Sequence, residues 1–114
     1  MKYMLLINLG PEARAWRNLP EAEQRKVAAG WQAINETPGV TPGNGLQPPE
    51  NATTVRVRDG RTLTTDGPFV ETKEALDGYL IYEADDLDAA IELAARIPAA
   101  SMGGAVEVRP IMEW

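Results

Sequence analysis

Residues 2–8 read KYMLLIN and residues 78–84 read GYLIYEA, and these two stretches decide the fold. Each places apolar side chains at both sets of alternating positions, a pattern typical of a strand buried on both faces. The apolar positions are Tyr3, Met4, Leu5, Leu6 and Ile7 in the first stretch and Tyr79, Leu80, Ile81 and Tyr82 in the second. Such strands need helices on one face of the sheet and another cover on the opposite face, for which we predict a second copy of the chain.

Two helices are predicted to supply the first cover. One is expected over residues 19–36, where Asn18 and Glu21 can form a capping box, and the other follows Asp85 or Asp86 and ends at the next proline. The apolar positions at helical spacing are Val27, Ala28, Trp31 and Ile34 in the first helix and Leu87, Ala90, Ile91, Ala94 and Ile97 in the second. These stripes are expected to lie on the sheet.

A β-hairpin is predicted in the middle of the chain. The Asp-Gly pair at 59–60 is a favoured two-residue turn, and it joins alternating residues 52–58 to a returning strand at residues 61–65. Alternation predicts that Val55 and Val57 point inward.

The remaining segments complete the element order. Residues 38–52 are rich in proline and glycine and are expected to be mostly loop, with a short strand near Leu46, and residues 105–111 form the last strand. The order is that of an α+β protein, a ferredoxin-like split βαβ unit with two helices on one face of an antiparallel sheet and an extra β-hairpin. A length of 114 residues fits one domain, residues 1–114.

Composition excludes several classes of function. The chain has 11 basic and 17 acidic residues and a formal charge of −6, which disfavours nucleic acid and anionic membranes as partners. It contains neither cysteine nor histidine, so disulfides, cysteine metal sites and histidine-based triads are excluded. The apolar run after Lys2 is too short for a signal peptide, and a cytoplasmic location is expected.

The sequence resembles a known family over nearly its whole length. Residues 64–98 read TTDGPFVETKEALDGYLIYEADDLDAAIELAARIP and residues 106–114 read VEVRPIMEW, after the opening MKYMLLI. These stretches closely resemble YCII-related proteins that carry the Asp-Gly-Pro-Phe signature. The resemblance implies a dimeric α+β barrel, in which a ferredoxin-like protomer pairs its open sheet face with a second copy.

The resemblance implies little about a reaction. Members of this family are mostly uncharacterised, and many are encoded beside extracytoplasmic-function sigma factors, an association at the level of the family only. The broader YCII group has been proposed to act through a His–Asp pair in a cleft. That pair cannot operate in this chain, which has no histidine.

The signature segment offers the candidate site. Asp66, Gly67, Pro68 and Phe69 can form a rigid corner on geometry alone, and this reading is the simpler one. Alternatively, the corner presents Asp66 at the mouth of a cleft, with Asp66 and Lys73 as candidate catalytic groups for proton transfer. The candidate ligand-binding residues are Asp66, Phe69, Glu71, Thr72, Lys73 and Arg56.

Other polar and aromatic residues have structural explanations. Arg109 is expected in an ion pair near Glu107 or with the partner chain, and Trp16 and Trp31 are expected to serve packing. The acidic residues at 85, 86 and 88 suit helix capping better than calcium binding, and we predict no metal and no cofactor.

The sequence is compatible with three functions. The first is a non-enzymatic homodimer that binds a small polar molecule or has a regulatory role, favoured by the lack of histidine, cysteine and any nucleophile arrangement. The second is a cofactor-independent enzyme, such as a small isomerase, lyase or oxygenase, that uses Asp66 with Lys73. The third is an interaction module for a partner protein, which requires an exposed apolar patch outside the homodimer interface.

Overall fold

The computed structural model describes residues 1–70, 72 and 74–113. The strands are β1 Lys2–Leu9, β2 Val40–Gly45, β3 Thr53–Arg58, β4 Arg61–Asp66, β5 Ala75–Glu83 and β6 Ala105–Pro110. The helices are α1 Pro11–Arg14, α2 Glu21–Asn35, α3 Leu87–Arg96 and α4 Pro98–Ser101, with 3₁₀ turns at Ala15–Asn18 and Pro49–Asn51. The predicted α+β class is confirmed.

Strand order follows the ferredoxin-like plan. The four-stranded sheet runs β2-β5-β1-β6 and every neighbouring pair is antiparallel, so β1 and β5 occupy the centre. The two stretches that are apolar on both faces are therefore the two central strands, as predicted. β3 and β4 pair with each other in a separate two-stranded sheet.

One face of the large sheet carries the hydrophobic core. Tyr3, Leu5, Ile7 and Leu9 of β1 are buried, and Leu5 lies opposite Leu80 of β5. The fully buried large side chains are Leu5, Ile34, Leu80, Leu93 and Ile97, which join β1 and β5 to α2 and α3. Burial of such a side chain contributes roughly 1.5–3 kcal/mol, so each of these five residues adds substantially to the stability of the domain.

The opposite face of the sheet carries apolar residues without a covering layer from the described chain. Met4 lies opposite Ile81, and Leu6 lies opposite Tyr79, at the positions that alternate with the core residues. All four are only partly buried.

The two long helices begin differently. Asp86 caps α3 as predicted, because its Oδ1 accepts a hydrogen bond of 2.9 Å from the backbone N–H of Ala89. The predicted Asn18–Glu21 capping box is wrong, because the N-cap of α2 is Pro20, whose side chain accepts no hydrogen bond. Instead, Gln24 Nε2 donates to the carbonyls of Arg17 and Leu19, at 2.7 and 2.8 Å. Among the described residues, no helix combines the length and apolarity needed to cross a bilayer.

The apolar stripe of α3 is rotated from the predicted one. Ala90, Leu93 and Ala94 are buried, whereas Leu87 and Ile91 are 49% and 50% exposed. Ala90, Ala94 and Ile97 are buried as predicted, and Leu93 is buried in place of Leu87 and Ile91, which face solvent.

The hairpin forms with the predicted turn but without the predicted burial. Asp59 and Gly60 have φ of 52° and 73°, as a type I′ turn requires. Val55 and Val57 are 59% and 70% exposed, so the prediction that they point into a core is wrong for the single chain. Alternation gives β3 an apolar face, but β3–β4 is not continuous with the main sheet, and none of the described core residues belongs to the hairpin. The radius of gyration, 16.0 Å, accordingly exceeds the roughly 13–14 Å of a compact domain of this size.

β2 lies earlier than the strand predicted near Leu46 and runs unusually close to β5. A Cβ at Gly43 would lie 2.0 Å from the backbone oxygen of Tyr79, whereas a Cβ at Gly45 would meet nothing within 4 Å. Only glycine therefore permits the approach of residue 43 to β5, because a backbone carbonyl within a sheet cannot move aside.

We predict that Gly43→Ala destabilises the protein and Gly45→Ala does not. The added methyl group at position 43 has to push β2 away from β5, at a cost of about 1–3 kcal/mol, while the same change at position 45 should alter stability by no more than about 0.5 kcal/mol. Urea unfolding of both variants measures the difference. Equal stability of the two variants would contradict the close approach.

Candidate functional site

A cleft of about 630 Å³ opens between the first helical segments and the β2 side of the sheet. Its walls come from β1, the segment at residues 14–17, α2, the stretch at residues 42–48 and the start of β5. The polar and aromatic lining residues are Arg14, Trp16, Arg17, Trp31, Asn35, Asn44, Gln47, Asp77 and Tyr79. The volume lies in the range of small-molecule sites.

Asp77 enters the cleft because β5 contains a β-bulge. In the β1–β5 pairing, Ile7 lies opposite Gly78 and Asn8 lies opposite Leu76, so Asp77 is an extra residue in β5. Strict alternation from Leu80 would put Asp77 on the open face. The bulge instead places it on the helix-covered side, where it lines the cleft, and leaves Leu76 on the open face beside Asn8.

The environment of Asp77 disfavours its charged form. Burial raises the pKa of the Asp77 carboxyl above its ordinary value, and the positive charges of Arg14 and Arg17 offset only part of that rise. Neither arginine forms an ion pair with Asp77 among the described residues. Asp77 is thus a partly desolvated carboxylate with cations nearby but not in contact.

Arg14 is held rigidly at the floor of the cleft. Its Nη2 donates a hydrogen bond of 2.7 Å to the carbonyl of Leu9, at the end of β1. Its Nε is buried and has no hydrogen-bond partner among the described residues. A buried donor without an acceptor costs about 1–3 kcal/mol, so Arg14 carries unused hydrogen-bonding capacity.

Aromatic side chains form the walls. Trp31 packs against the hydrophobic core from α2, and the Arg17 guanidinium lies 4.8 Å from the centre of the Trp16 ring. Tyr79 is oriented by Asn44, whose Nδ2 donates to the tyrosine hydroxyl at 3.0 Å. Tyr79 lies opposite Leu6, at a position that alternates with the core residues, so its side chain belongs to the open face of the sheet.

The residues predicted from the signature segment lie elsewhere. Asp66 ends β4 and is exposed, and Gly67 follows it with φ +98°. The N–H of Gly67 donates to Ala52 at 2.7 Å, and the Thr54 hydroxyl donates to the carbonyl of Gly67 at 2.8 Å. These bonds tie the corner to the base of the hairpin, as expected for a turn. Asp66 is not among the described residues that line the cleft, and its ligand role stays a prediction.

Two of the predicted ligand-binding residues are brought together. The Arg56 guanidinium lies 4.6 Å from the centre of the Phe69 ring, and Phe69 is 68% exposed. The Thr72 hydroxyl donates to the carbonyl of Glu74. Glu71 and Lys73 lie outside the described residues.

The predictions for Arg109 and for the two tryptophans have different outcomes. Arg109 Nε lies 3.6 Å from Glu107 Oε2, which agrees with the predicted structural ion pair. Trp31 packs against the core as predicted, but it and Trp16 also line the cleft, a role that packing alone does not describe.

Sequence reasoning missed Asp77, Arg14 and Arg17. One signal was present: Asp77 is an acidic residue directly preceding a stretch that is apolar on both faces, and a carboxylate there requires an explanation. The two arginines carried no such signal, because the segment after Gly10-Pro11 has no apolar periodicity to show which side chains face inward.

We predict that Asp77→Asn makes the folded protein more stable at neutral pH. The pKa of Asp77 is raised in the folded state, so protonated Asp77 favours folding. This stabilisation is complete at pH values below the unfolded-state pKa, and it is lost as pH rises through the folded-state pKa. The asparagine amide does not ionise, so the variant does not lose this stability as pH rises. Thermal unfolding should show a stability gain at pH 7 that shrinks toward pH 3, with Asp88→Asn on the exposed start of α3 as control. A gain that does not change with pH would contradict the assigned desolvation.

Comparison with known proteins agrees with the resemblance seen in the sequence. The chain is 34% identical over 101 residues to an uncharacterised protein of Rhizobium meliloti, an alignment that covers 88% of this chain and 75% of that protein. A family model described as the YCII-related domain matches residues 1–114. The chain belongs to the YCII-related domain family.

Proposed function

We propose that the protein is a homodimer that binds a small molecule in the Asp77 cleft. The observation that carries this proposal is the convergence of Asp77, Arg14 and Arg17 with two tryptophans around a cleft of about 630 Å³. A few polar groups set in aromatic walls are the usual composition of a ligand site.

The polar groups of the cleft are costly for the chain alone. Asp77 is desolvated by burial, and the buried Nε of Arg14 has no acceptor in the described structure. Groups that reduce stability are common where a ligand later satisfies them. Binding therefore explains a charge arrangement that packing does not.

Two uncovered apolar surfaces support the dimer. The first is the open sheet face with Met4, Leu6 and Ile81, and the second is the hairpin, where Val55 and Val57 are largely exposed. An isolated two-stranded hairpin is only marginally stable in water. A second copy would cover these surfaces with the same residue types, as a two-fold interface does.

We predict that Leu6→Glu converts a dimer into a monomer. A carboxylate at the centre of the open face would lie opposite Glu107 of β6 and would be buried by the partner, a strongly unfavourable change. Sedimentation velocity of the wild type and of Leu6→Glu gives the mass of each protein in solution. The matched control is Ile91→Glu, because Ile91 is 50% exposed on the outer side of α3 and should leave the dimer intact. A wild-type monomer would refute this part of the proposal.

We also predict that the cleft binds a neutral aromatic probe, naphthalene-2-carboxamide. Two of the three tryptophans of the chain line the cleft, so a Trp114→Phe background leaves only indole N–H signals from Trp16 and Trp31. Both signals should shift with a single dissociation constant in nitrogen-proton NMR spectra.

Variants locate the site of the probe. Trp16→Ala should weaken binding several-fold, because it removes one aromatic wall. Leu87→Ala, which trims an exposed apolar residue on α3, should have no effect. Absence of any shift in the two indole signals, with this neutral probe and with an anionic analogue alike, would refute the cleft as the binding site.

Acid–base catalysis is a second candidate function. The observation in its favour is the raised pKa of Asp77, because a carboxylate with a higher pKa is a better general base near neutral pH. Asp77 would take the role that the sequence suggested for Asp66. A substrate screen comparing the wild type with Asp77→Asn tests it, and turnover that survives this substitution would exclude Asp77 as the base.

A further inference from the structure

We propose that the ligand of the cleft is a planar organic monoanion, with its charged group held by Arg14 and Arg17 and its ring placed against Trp16 and Trp31. The inference rests on the proposed small-molecule function and names the chemical class of ligand. Four observations carry it.

The first observation is the charge of the cleft. Among the described lining residues, the charged ones are Arg14, Arg17 and Asp77, so the site has a net charge of +1 when Asp77 is ionised. The whole chain has a formal charge of −6. A positive cleft in an acidic protein is therefore not a consequence of overall composition. A single negative charge neutralises it, whereas a dianion would leave an excess negative charge beside Asp77.

The second observation is the state of the two arginines. Among the described residues, neither guanidinium is in an ion pair, and the buried Nε of Arg14 lacks an acceptor. Arg14 is also fixed by its bond to the carbonyl of Leu9. Two guanidinium groups that line the cleft without a carboxylate partner in the described structure suit an oxyanion, since charge-assisted hydrogen bonds from arginine to a carboxylate are short and directional.

The third observation is the shape and chemistry of the walls. The Arg17 guanidinium already lies over the Trp16 ring, so cation and aromatic surface are presented together. Flat aromatic surfaces next to cationic donors favour a ring that carries a carboxylate over an aliphatic acid.

The fourth observation is the position of Asp77. The bulge places its carboxylate on the same side as the arginines, where it repels a bound anion. The arginines and Asp77 should consequently have opposite effects on anion affinity. A merely structural role for these residues does not predict opposite signs.

The test compares probes that differ in one property. Naphthalene-2-carboxylate carries the charge, naphthalene-2-carboxamide is its neutral analogue, and cyclohexanecarboxylate keeps the charge without the aromatic ring. Dissociation constants come from the Trp16 and Trp31 indole signals at pH 7. The aromatic carboxylate should bind about tenfold more tightly than the amide, which corresponds to one charge-assisted hydrogen bond, and more tightly than the aliphatic acid.

Variants assign the effect to the residues. Arg17→Gln should reduce carboxylate affinity about tenfold and leave amide affinity nearly unchanged. The control is Arg96→Gln, an exposed position at the end of α3 with the same loss of charge, and it should change neither affinity. Asp77→Asn should strengthen carboxylate binding. Because Arg17 is exposed, its replacement should leave the fold intact.

The outcomes separate this inference from the function on which it rests. Equal affinity for carboxylate and amide, or equal effects of Arg17→Gln and Arg96→Gln, would overturn the monoanion while the cleft remains a binding site. Failure of every probe to shift the indole signals would overturn both proposals. Weaker carboxylate binding by Asp77→Asn would overturn the assigned role of Asp77.

Discussion

The antiparallel pairing of β1 with β5, including its one extra residue, is the constraint on which the rest of the structure depends. The pairing sets Leu5 opposite Leu80 and so creates the layer on which α2 and α3 pack. Toward the start of β5, the register of the same pairing shifts by one residue between Ile7 and Asn8. The bulge reverses the alternation at that point and turns Asp77 toward the helices. Core and cleft are thus consequences of a single strand pair.

The cleft contains groups that lower the stability of the folded chain. A partly desolvated carboxylate and a buried guanidinium Nε without an acceptor in the described structure each oppose folding, by about 1–3 kcal/mol for the unsatisfied donor. Total stabilities of small domains are only about 5–15 kcal/mol. β2 approaches β5 so closely at Gly43 that a single methyl group would displace it. Such costs are tolerated where side chains must keep a fixed geometry for a ligand.

Membership of the YCII-related family makes the composition of the cleft informative. This chain has no histidine, so the His–Asp chemistry suggested for the broader group has no counterpart among its 114 residues. Its cleft combines one carboxylate with two guanidinium groups and aromatic walls. Arginine stays protonated at all ordinary pH values, so the two guanidinium groups add fixed positive charge to the cleft and cannot act as bases there.

Local pattern by itself determined the α+β class, the two central strands, the Asp59-Gly60 turn and the Asp86 cap, because each depends on neighbours within a few residues. Only the tertiary structure decided which side chains meet in the cleft. Alternation places Asp77 on the wrong face, since the bulge arises from pairing with β1, a strand about seventy residues away along the chain. The exposure of Val55 and Val57 has a similar origin, because alternation defines a face of β3 and only the placement of the hairpin decides whether anything packs against that face.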